Sequence, residues 1–132
     1  PSASILRTSR SRVVSVAKRG RRLADLMREL TESSVRFSWQ PPHGQSEEDT
    51  LATLRAALPR LGHVHVFEWW PGPETRLPLE HGKSRWARFL ALAKTAPGAG
   101  RCALLEFMPG DDPAALPREA ETLRSLLATS HV

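Results

Sequence analysis

Short apolar stretches of strand type alternate with stretches of helical periodicity along this chain, and that alternation limits the folds open to it. The predicted strands cover residues 35–39, 63–69 and 102–108, which are rich in β-branched, aromatic and other apolar residues. The predicted helices cover residues 15–30, 46–61, 84–96 and 112–128, where apolar residues recur every three or four positions. Strands that alternate with helices favour a parallel sheet of the α/β class.

Three strands are few for an independent domain of this class, because both edges of so small a sheet expose unpaired backbone groups. The chain also begins at Pro1 without an initiator methionine. We therefore expect a fragment whose remaining strands come from a longer protein or from a partner chain.

Positive charge is concentrated at one end of the chain. Residues 1–30 hold eight Lys and Arg against Asp25 and Glu29, whereas the other 102 residues carry a net charge of −1. No aromatic residue is interleaved with these charges, so a stacking platform for bases is missing and we do not expect nucleic-acid binding. Residues 1–14 are predicted to be an irregular basic segment.

Compartment and membrane association follow from two further observations. No apolar run is long enough to span a bilayer, and the N-terminus shows no apolar signal core. The single cysteine, Cys102, excludes an intrachain disulfide and fits a reducing compartment. The expectation is a cytoplasmic protein without a membrane partner.

Functional residues of a parallel α/β sheet lie where the strands end, and each of the three predicted strands carries a polar residue near that end. Glu106 lies inside the apolar run 104–108, where a carboxylate is costly unless it is paired or binds a metal. His63 and His65 share a strand face, and His65 lies nearer the functional end. The alternation predicts that Glu106 and His65 face one side together, whereas Phe107 faces the helices.

Other polar residues follow the predicted strands and are candidates for substrate binding. Gln40 ends the first strand and is suited to a hydroxyl group more than to a divalent cation. The remaining candidates for contact with a substrate are His43, Glu68, Trp69 and Arg76. The sequence has no Gly-rich phosphate loop, CxxC, HExxH or nucleophile-elbow motif.

Three segments together resemble the xylose-isomerase-like superfamily, which includes sugar phosphate isomerases/epimerases and endonuclease-IV-like barrels. They are VRFSWQPP (35–42), GHVHVFEW (62–69) and ALLEF (103–107), and the resemblance spans residues 33–128. It implies a (β/α)8 TIM barrel whose sixth, seventh and eighth strands lie here. Residues 15–132 would then be the C-terminal part of that barrel.

The resemblance also implies a divalent cation, Mn, Mg, Zn or Co, held at the strand ends. His65 and Glu106 match two of the family's ligands, Gln40 stands where many members carry an Asp, and His43 stands at a second family His. Glu106 would also be the catalytic acid or base in proton transfer next to the carbonyl of a sugar or sugar phosphate. Since the opposite wall of the barrel is missing, we expect the isolated chain to be inactive without the missing half or a second copy.

Two alternatives remain open. Gln40 departs from the metal-binding pattern, which favours a non-catalytic barrel that binds carbohydrate or serves as a scaffold. The basic N-terminal segment is the one feature that favours a nucleic-acid-processing relative of the endonuclease-IV type.

Overall fold

The computed structural model of this chain describes residues 13–14, 36–69, 72 and 74–129. In these residues it shows a parallel β-sheet with helices packed on one face. The strands are β1 (Val13–Val14), β2 (Arg36–Trp39), β3 (Leu61–Val66) and β4 (Cys102–Leu105). The helices are α1 (Glu47–Ala57), α2 (Lys83–Lys94) and α3 (Leu116–Thr129). Within the described ranges, the α/β class with parallel strands is confirmed.

The strands lie in the sheet in the order in which they occur in the sequence, β1-β2-β3-β4, and all three pairings are parallel. The helices α1 and α2 connect β2 to β3 and β3 to β4. Pairing along β4 continues for one residue beyond the strand, because the backbone N–H of Glu106 donates to the carbonyl of Val66 at 2.9 Å. This register brings the ends of β3 and β4 side by side.

One apolar core fills the space between the sheet and the helices. On β3, Val64 and Val66 face this core, and the alternate residues His63 and His65 are half-buried on the other face. The core includes large side chains from β2 and from all three helices: Trp39, Leu51, Leu54, Trp86, Phe89, Leu90, Leu123 and Leu126. The open face of the sheet therefore carries the polar residues.

Local capping explains where α1 begins. Ser46 Oγ accepts a hydrogen bond from the backbone N–H of Asp49 at 3.1 Å, which satisfies one of the amides left free in the first helical turn. Glu47, Glu48 and Asp49 then place negative charge at the positive end of the helix dipole. The predicted start of this helix is confirmed.

Several predicted boundaries are corrected by the structure. The second strand begins at Leu61 and ends at Val66, and the third ends at Leu105, so both stop short of the predicted ends at residues 69 and 108. Val13 and Val14 pair with β2, although residues 1–14 were predicted to be irregular. The helix predicted over 15–30 lies outside the described residues, as does the rest of the basic segment.

Two apolar side chains lie where the sequence pattern did not place them. Leu116, predicted to belong to the core face of the last helix, is the first residue of α3 and is 49% exposed. Phe107, predicted to face the helices, has a φ of 58° and is 37% exposed. A left-handed residue directly after Glu106 turns the chain out of the strand, which explains why β4 ends early.

Candidate functional site

His65 and Glu106 contact each other on the open face of the sheet. His65 is the last but one residue of β3, and Glu106 follows the last residue of β4. His65 Nδ1 lies 2.9 Å from Glu106 Oε2, and the two side chains are 28% and 33% exposed. An ion pair as accessible as this contributes at most about 1 kcal/mol to folding. The contact therefore contributes little to the stability of the fold.

Ser38 contacts the other nitrogen of the same imidazole. Its Oγ lies 3.5 Å from His65 Nε2, across from the Glu106 contact on Nδ1. The three side chains form a Ser38–His65–Glu106 chain across β2, β3 and the end of β4. Sequence reasoning missed Ser38, although the period of two along β2 places it, like Gln40, on the face opposite Phe37 and Trp39.

An aromatic cluster of Trp69, Phe107, His43 and Phe67 lies in the segments that follow the strands. The ring of Trp69 stacks on Phe107, with centroids 4.6 Å apart and planes 23° apart. Trp69 also contacts His43 at 4.6 Å and Phe67 at 4.4 Å between centroids. His43 and Trp69, two predicted substrate-binding residues, are thus brought together, and Phe107 is a member that the sequence prediction missed.

Arg76 contacts the aromatic cluster through the ring of Phe107. Its guanidinium carbon lies 4.8 Å from the centroid of the Phe107 ring, and it forms an ion pair with Asp111. Both Phe107 and Asp111 have left-handed backbones, with φ of 58° and 56°. Such conformations cost about 1–3 kcal/mol each and cluster at functional sites. Contacts through Trp69 and Phe107 thus join His43 and Arg76 into one cluster, in which Phe107 is the residue directly after Glu106.

Glu68 is placed differently from the prediction that it contacts a substrate. Its side chain is 3% exposed and forms an ion pair with Arg85 in the first turns of α2. Burial raises the pKa of the Glu68 carboxyl, and this outweighs the lowering caused by Arg85. A carboxylate enclosed in this way tethers the end of β3 to α2, and the contact of Glu68 with a substrate stays a prediction.

The predicted metal ligands are only partly brought together. His65 and Glu106 are in contact, whereas Gln40 is exposed just beyond β2 and forms no hydrogen bond with either of them. The described part of the chain contains no group of three or more His, Cys, Asp or Glu that could hold a metal ion.

The pair itself fits two positions around one cation. Imidazole nitrogen and carboxylate oxygen are donors for Zn and Mn. Two ligands about 2.1 Å from one cation lie about 3 Å apart in octahedral geometry and about 3.4 Å apart around tetrahedral Zn, so the 2.9 Å between His65 Nδ1 and Glu106 Oε2 fits the octahedral case and also fits a direct hydrogen bond. The described residues thus bring together two candidate ligands, and any further ones would have to come from elsewhere.

No protein-family model, curated protein or solved structure matches the chain. In the ranges that the structure describes, none of the helices has the length and apolar character needed to cross a bilayer.

Proposed function

We propose that this chain forms part of the active site of a metal-assisted sugar isomerase or epimerase of the (β/α)8 barrel type. The observation that carries the proposal is the His65–Glu106 contact of 2.9 Å at the ends of two adjacent parallel strands. The substrate would be a small sugar or sugar phosphate, and the setting would be cytoplasmic. The proposal rests on three arguments, from the sheet, the pair and the aromatic cluster.

The sheet supports a barrel over an open, doubly wound fold. Among the described residues, the strand order follows the sequence without reversal, and α1, α2 and α3 all contribute to the core on one face of the sheet. In a doubly wound sheet the order reverses and helices cover both faces. In a barrel the order does not reverse, and the uncovered face becomes the interior. β4 is an edge of the described sheet, where further strands would continue the barrel.

The pair supplies groups suited to moving a proton next to a carbonyl. A divalent cation held by His65 and Glu106 would polarise a carbonyl oxygen. Glu106 contacts His65 through Oε2, which leaves Oε1 as an acceptor for a proton from the carbon next to that carbonyl. Binding of both side chains to one cation would replace the direct contact between His65 Nδ1 and Glu106 Oε2 and would keep the carboxylate in place.

The aromatic cluster supports a sugar as the substrate. Trp69 and Phe107 are partly exposed, and because their ring faces contact each other, His43 and Arg76, they would line a sugar site through their ring edges. Such rings keep their orientation because Trp69 is packed between Phe107 and His43. An anionic substrate group would have to compete with Asp111 for Arg76.

A test of the reaction class follows exchange of the proton next to the carbonyl. The full-length protein that carries this sequence is incubated with Mn²⁺ and a panel of ketoses and aldoses in D2O, and loss of that proton signal is followed by NMR. Glu106→Gln should slow exchange by about 10² or more, the usual contribution of a general base. Glu121→Gln is the matched control, since Glu121 is exposed on α3.

The alternative of a non-catalytic carbohydrate-binding barrel is favoured by one observation. Gln40 is exposed and apart from the pair, so the described ligand set stays at two residues. Sugars that change the tryptophan fluorescence without any exchange of protons, with or without Mn²⁺, would overturn the isomerase proposal and favour this alternative. Exchange that is unaffected by Glu106→Gln would remove Glu106 from the reaction.

A further inference from the structure

The Ser38–His65–Glu106 chain has the hydrogen-bond order of a nucleophile, a base and a carboxylate that orients the base. Glu106 Oε2 lies 2.9 Å from one imidazole nitrogen, Nδ1, and Ser38 Oγ lies 3.5 Å from the other, Nε2. We propose that this chain is a metal-independent acyl-transfer site, in which Ser38 is the nucleophile and the substrate is an ester of an apolar alcohol. The inference goes beyond the proposed function, because it uses the direct contact between His65 and Glu106 and requires no cation.

The carboxylate of Glu106 fixes which nitrogen of His65 can act as the base. An ionised carboxylate only accepts hydrogen bonds, so the ring proton lies on Nδ1 and is donated to Oε2. Nε2 then carries the lone pair, and Nε2 is the nitrogen next to the hydroxyl of Ser38. A nucleophilic serine requires this arrangement. The 3.5 Å separation is long for a hydrogen bond, and such bonds at catalytic sites commonly shorten once a substrate binds.

The three side chains are accessible from the open face of the sheet, opposite the helices. His65 and Glu106 are 28% and 33% exposed, and Ser38 is half-buried. Ser38 lies within a strand and not on a nucleophile elbow. Constellations of nucleophile, base and carboxylate occur on unrelated folds, however, and are recognised by geometry and not by sequence position. An ester can therefore approach the hydroxyl from the open face.

Gln40 is placed to stabilise the negative charge that develops on the ester. It follows Ser38 by two residues on the same side of the chain, about 6–7 Å along the strand direction. Trp39 is paired with Val64, so the residues that follow them, Gln40 and His65, are neighbours at the strand ends. A side-chain amide donates hydrogen bonds and is one of the groups that stabilise an oxyanion. Acyl transfer therefore gives this neutral residue a use that a metal site does not.

The reaction has two steps that balance. In the first, Nε2 of His65 takes the hydroxyl proton while Ser38 Oγ bonds to the ester carbonyl carbon, and the carbonyl oxygen becomes an oxyanion near Gln40. The bond to the alcohol oxygen then breaks, and that oxygen takes the proton from Nε2. In the second, water gives a proton to Nε2 and bonds to the acyl carbon. Ser38 Oγ leaves with that proton, and the products are a carboxylic acid and the free serine.

Leu104 indicates that the alcohol is apolar. It is paired with His65 in the register of β3 and β4 and is 43% exposed. Its neighbours Ala103 and Leu105 pack against the core, so Leu104 lies on the open face with His65. The leaving alcohol takes its proton from His65 and therefore lies beside Leu104. An aromatic alcohol would bury part of that exposed side chain.

The experiment follows acylation of Ser38 without any cation. The full-length protein that carries this sequence is mixed with p-nitrophenyl acetate in the presence of EDTA, and the initial burst of nitrophenol is recorded. Mass spectrometry of the digested protein locates the acetyl group. A fluorophosphonate is the second probe, since it traps a nucleophilic serine as a stable ester. Backbone amide spectra check that each variant is folded, and Ser84→Ala is the matched control, because Ser84 is exposed on α2.

The expected result is a burst with the acetyl group on Ser38, which is lost in Ser38→Ala and unchanged in Ser84→Ala. His65→Gln should slow acylation by about 10²–10⁴-fold, as expected for loss of a general base. Gln40→Ala should slow it by about 10²–10³-fold, as expected for loss of an oxyanion donor.

Glu106 is a positioning residue in this reaction, because it acts through the imidazole and does not touch the ester. Glu106→Gln should therefore slow acylation at saturating ester by about 10²-fold or more while leaving the KM unchanged. A purely structural role would not separate the rate from the KM in a variant that stays folded.

Acetyl and phosphonate adducts that form on other residues but not on Ser38 would overturn the proposal, as would an equal burst in Ser38→Ala. A burst that EDTA abolishes would contradict the metal-independent reaction. These readouts contain no sugar and no Mn²⁺, so this inference and the isomerase proposal fail independently of each other.

Discussion

Replacing Gly82 by alanine tests whether the buried Glu68–Arg85 pair depends on a missing side chain. A Cβ at position 82 would lie 2.5 Å from the carboxyl carbon of Glu68, closer than real Cβ contacts allow. Gly82 has a φ of −100°, which alanine adopts without strain. The expected cost of the substitution is therefore a clash with Glu68, not a backbone effect.

The magnitude follows from where Glu68 can go. The Glu68 side chain is 3% exposed, so moving away from the new Cβ would press it into its packed neighbours. Overpacking of this kind costs about 1–3 kcal/mol. Leaving Arg85 costs more, since breaking a buried ion pair costs about 3–5 kcal/mol. Alanine also reduces the entropy of the unfolded chain, which offsets about 0.4–1 kcal/mol. We expect Gly82→Ala to lower the free energy of unfolding by about 0.5–2.5 kcal/mol.

A double-mutant cycle identifies the clash as the cause. Urea denaturation is measured for Gly82→Ala, for Glu68→Ala and for both together. With Glu68 truncated the clash is absent, so the second substitution should be neutral or slightly stabilising, which gives a coupling of about 1–3 kcal/mol. Gly98→Ala is the control, because its surroundings are open and its cost comes from a φ of 84°. An equal cost of Gly82→Ala in both backgrounds would refute the reasoning.

Two further predictions concern stability. Burial raises the pKa of Glu68 above its ordinary value of 4.5, so the folded state binds the carboxyl proton more tightly than the unfolded chain does. This proton therefore stabilises the fold below about pH 4.5, and the stabilisation is lost as the pH rises through the raised pKa. The free energy of unfolding of the original protein minus that of Glu68→Gln should therefore fall with rising pH, and a difference independent of pH would contradict the shift. Ser46→Ala removes the acceptor for the Asp49 amide and should cost about 1 kcal/mol in thermal or urea unfolding, whereas no loss would mean that the cap is replaced by water.

The parallel sheet and the His65–Glu106 contact were predictable because both depend on short-range periodicity. A period of two along residues 63–66 separates His65 from Val64 and Val66. The same period along residues 102–106 places Glu106 on the corresponding face, and the parallel register of β3 and β4 brings the two side chains side by side. Whether the pair binds a metal stays a prediction.

The burial of Glu68 could not be predicted from its neighbours in sequence. It depends on Arg85, 17 residues away, and on the space left by Gly82. The alternation of residues 63–69 contains no information on either contact, and it predicted that Glu68 is accessible at the end of the strand. Ion pairs between a strand end and the next helix need the tertiary structure.

Phe107 was missed for a different reason. Apolar residues at 104, 105, 107 and 108 give strong strand propensity, so the sequence predicted that β4 continues to residue 108. The structure instead holds Phe107 left-handed, with its ring between Trp69 and Arg76. Tertiary stacking and a cation–π contact here outweigh local propensity, and together they bring the loop after β4 against the loop after β3.

Glu68 and Glu106 show how environment divides the roles of two carboxylates near adjacent strand ends. The Glu68 carboxylate is buried beside Gly82 and pairs with Arg85. This ion pair holds α2 against the end of β3. Glu106 remains one-third exposed, beside an imidazole that can carry a proton. Only the second arrangement can exchange a proton with a ligand from solvent. The buried pair therefore supports the end of β3, and proton exchange at Glu106 stays a prediction.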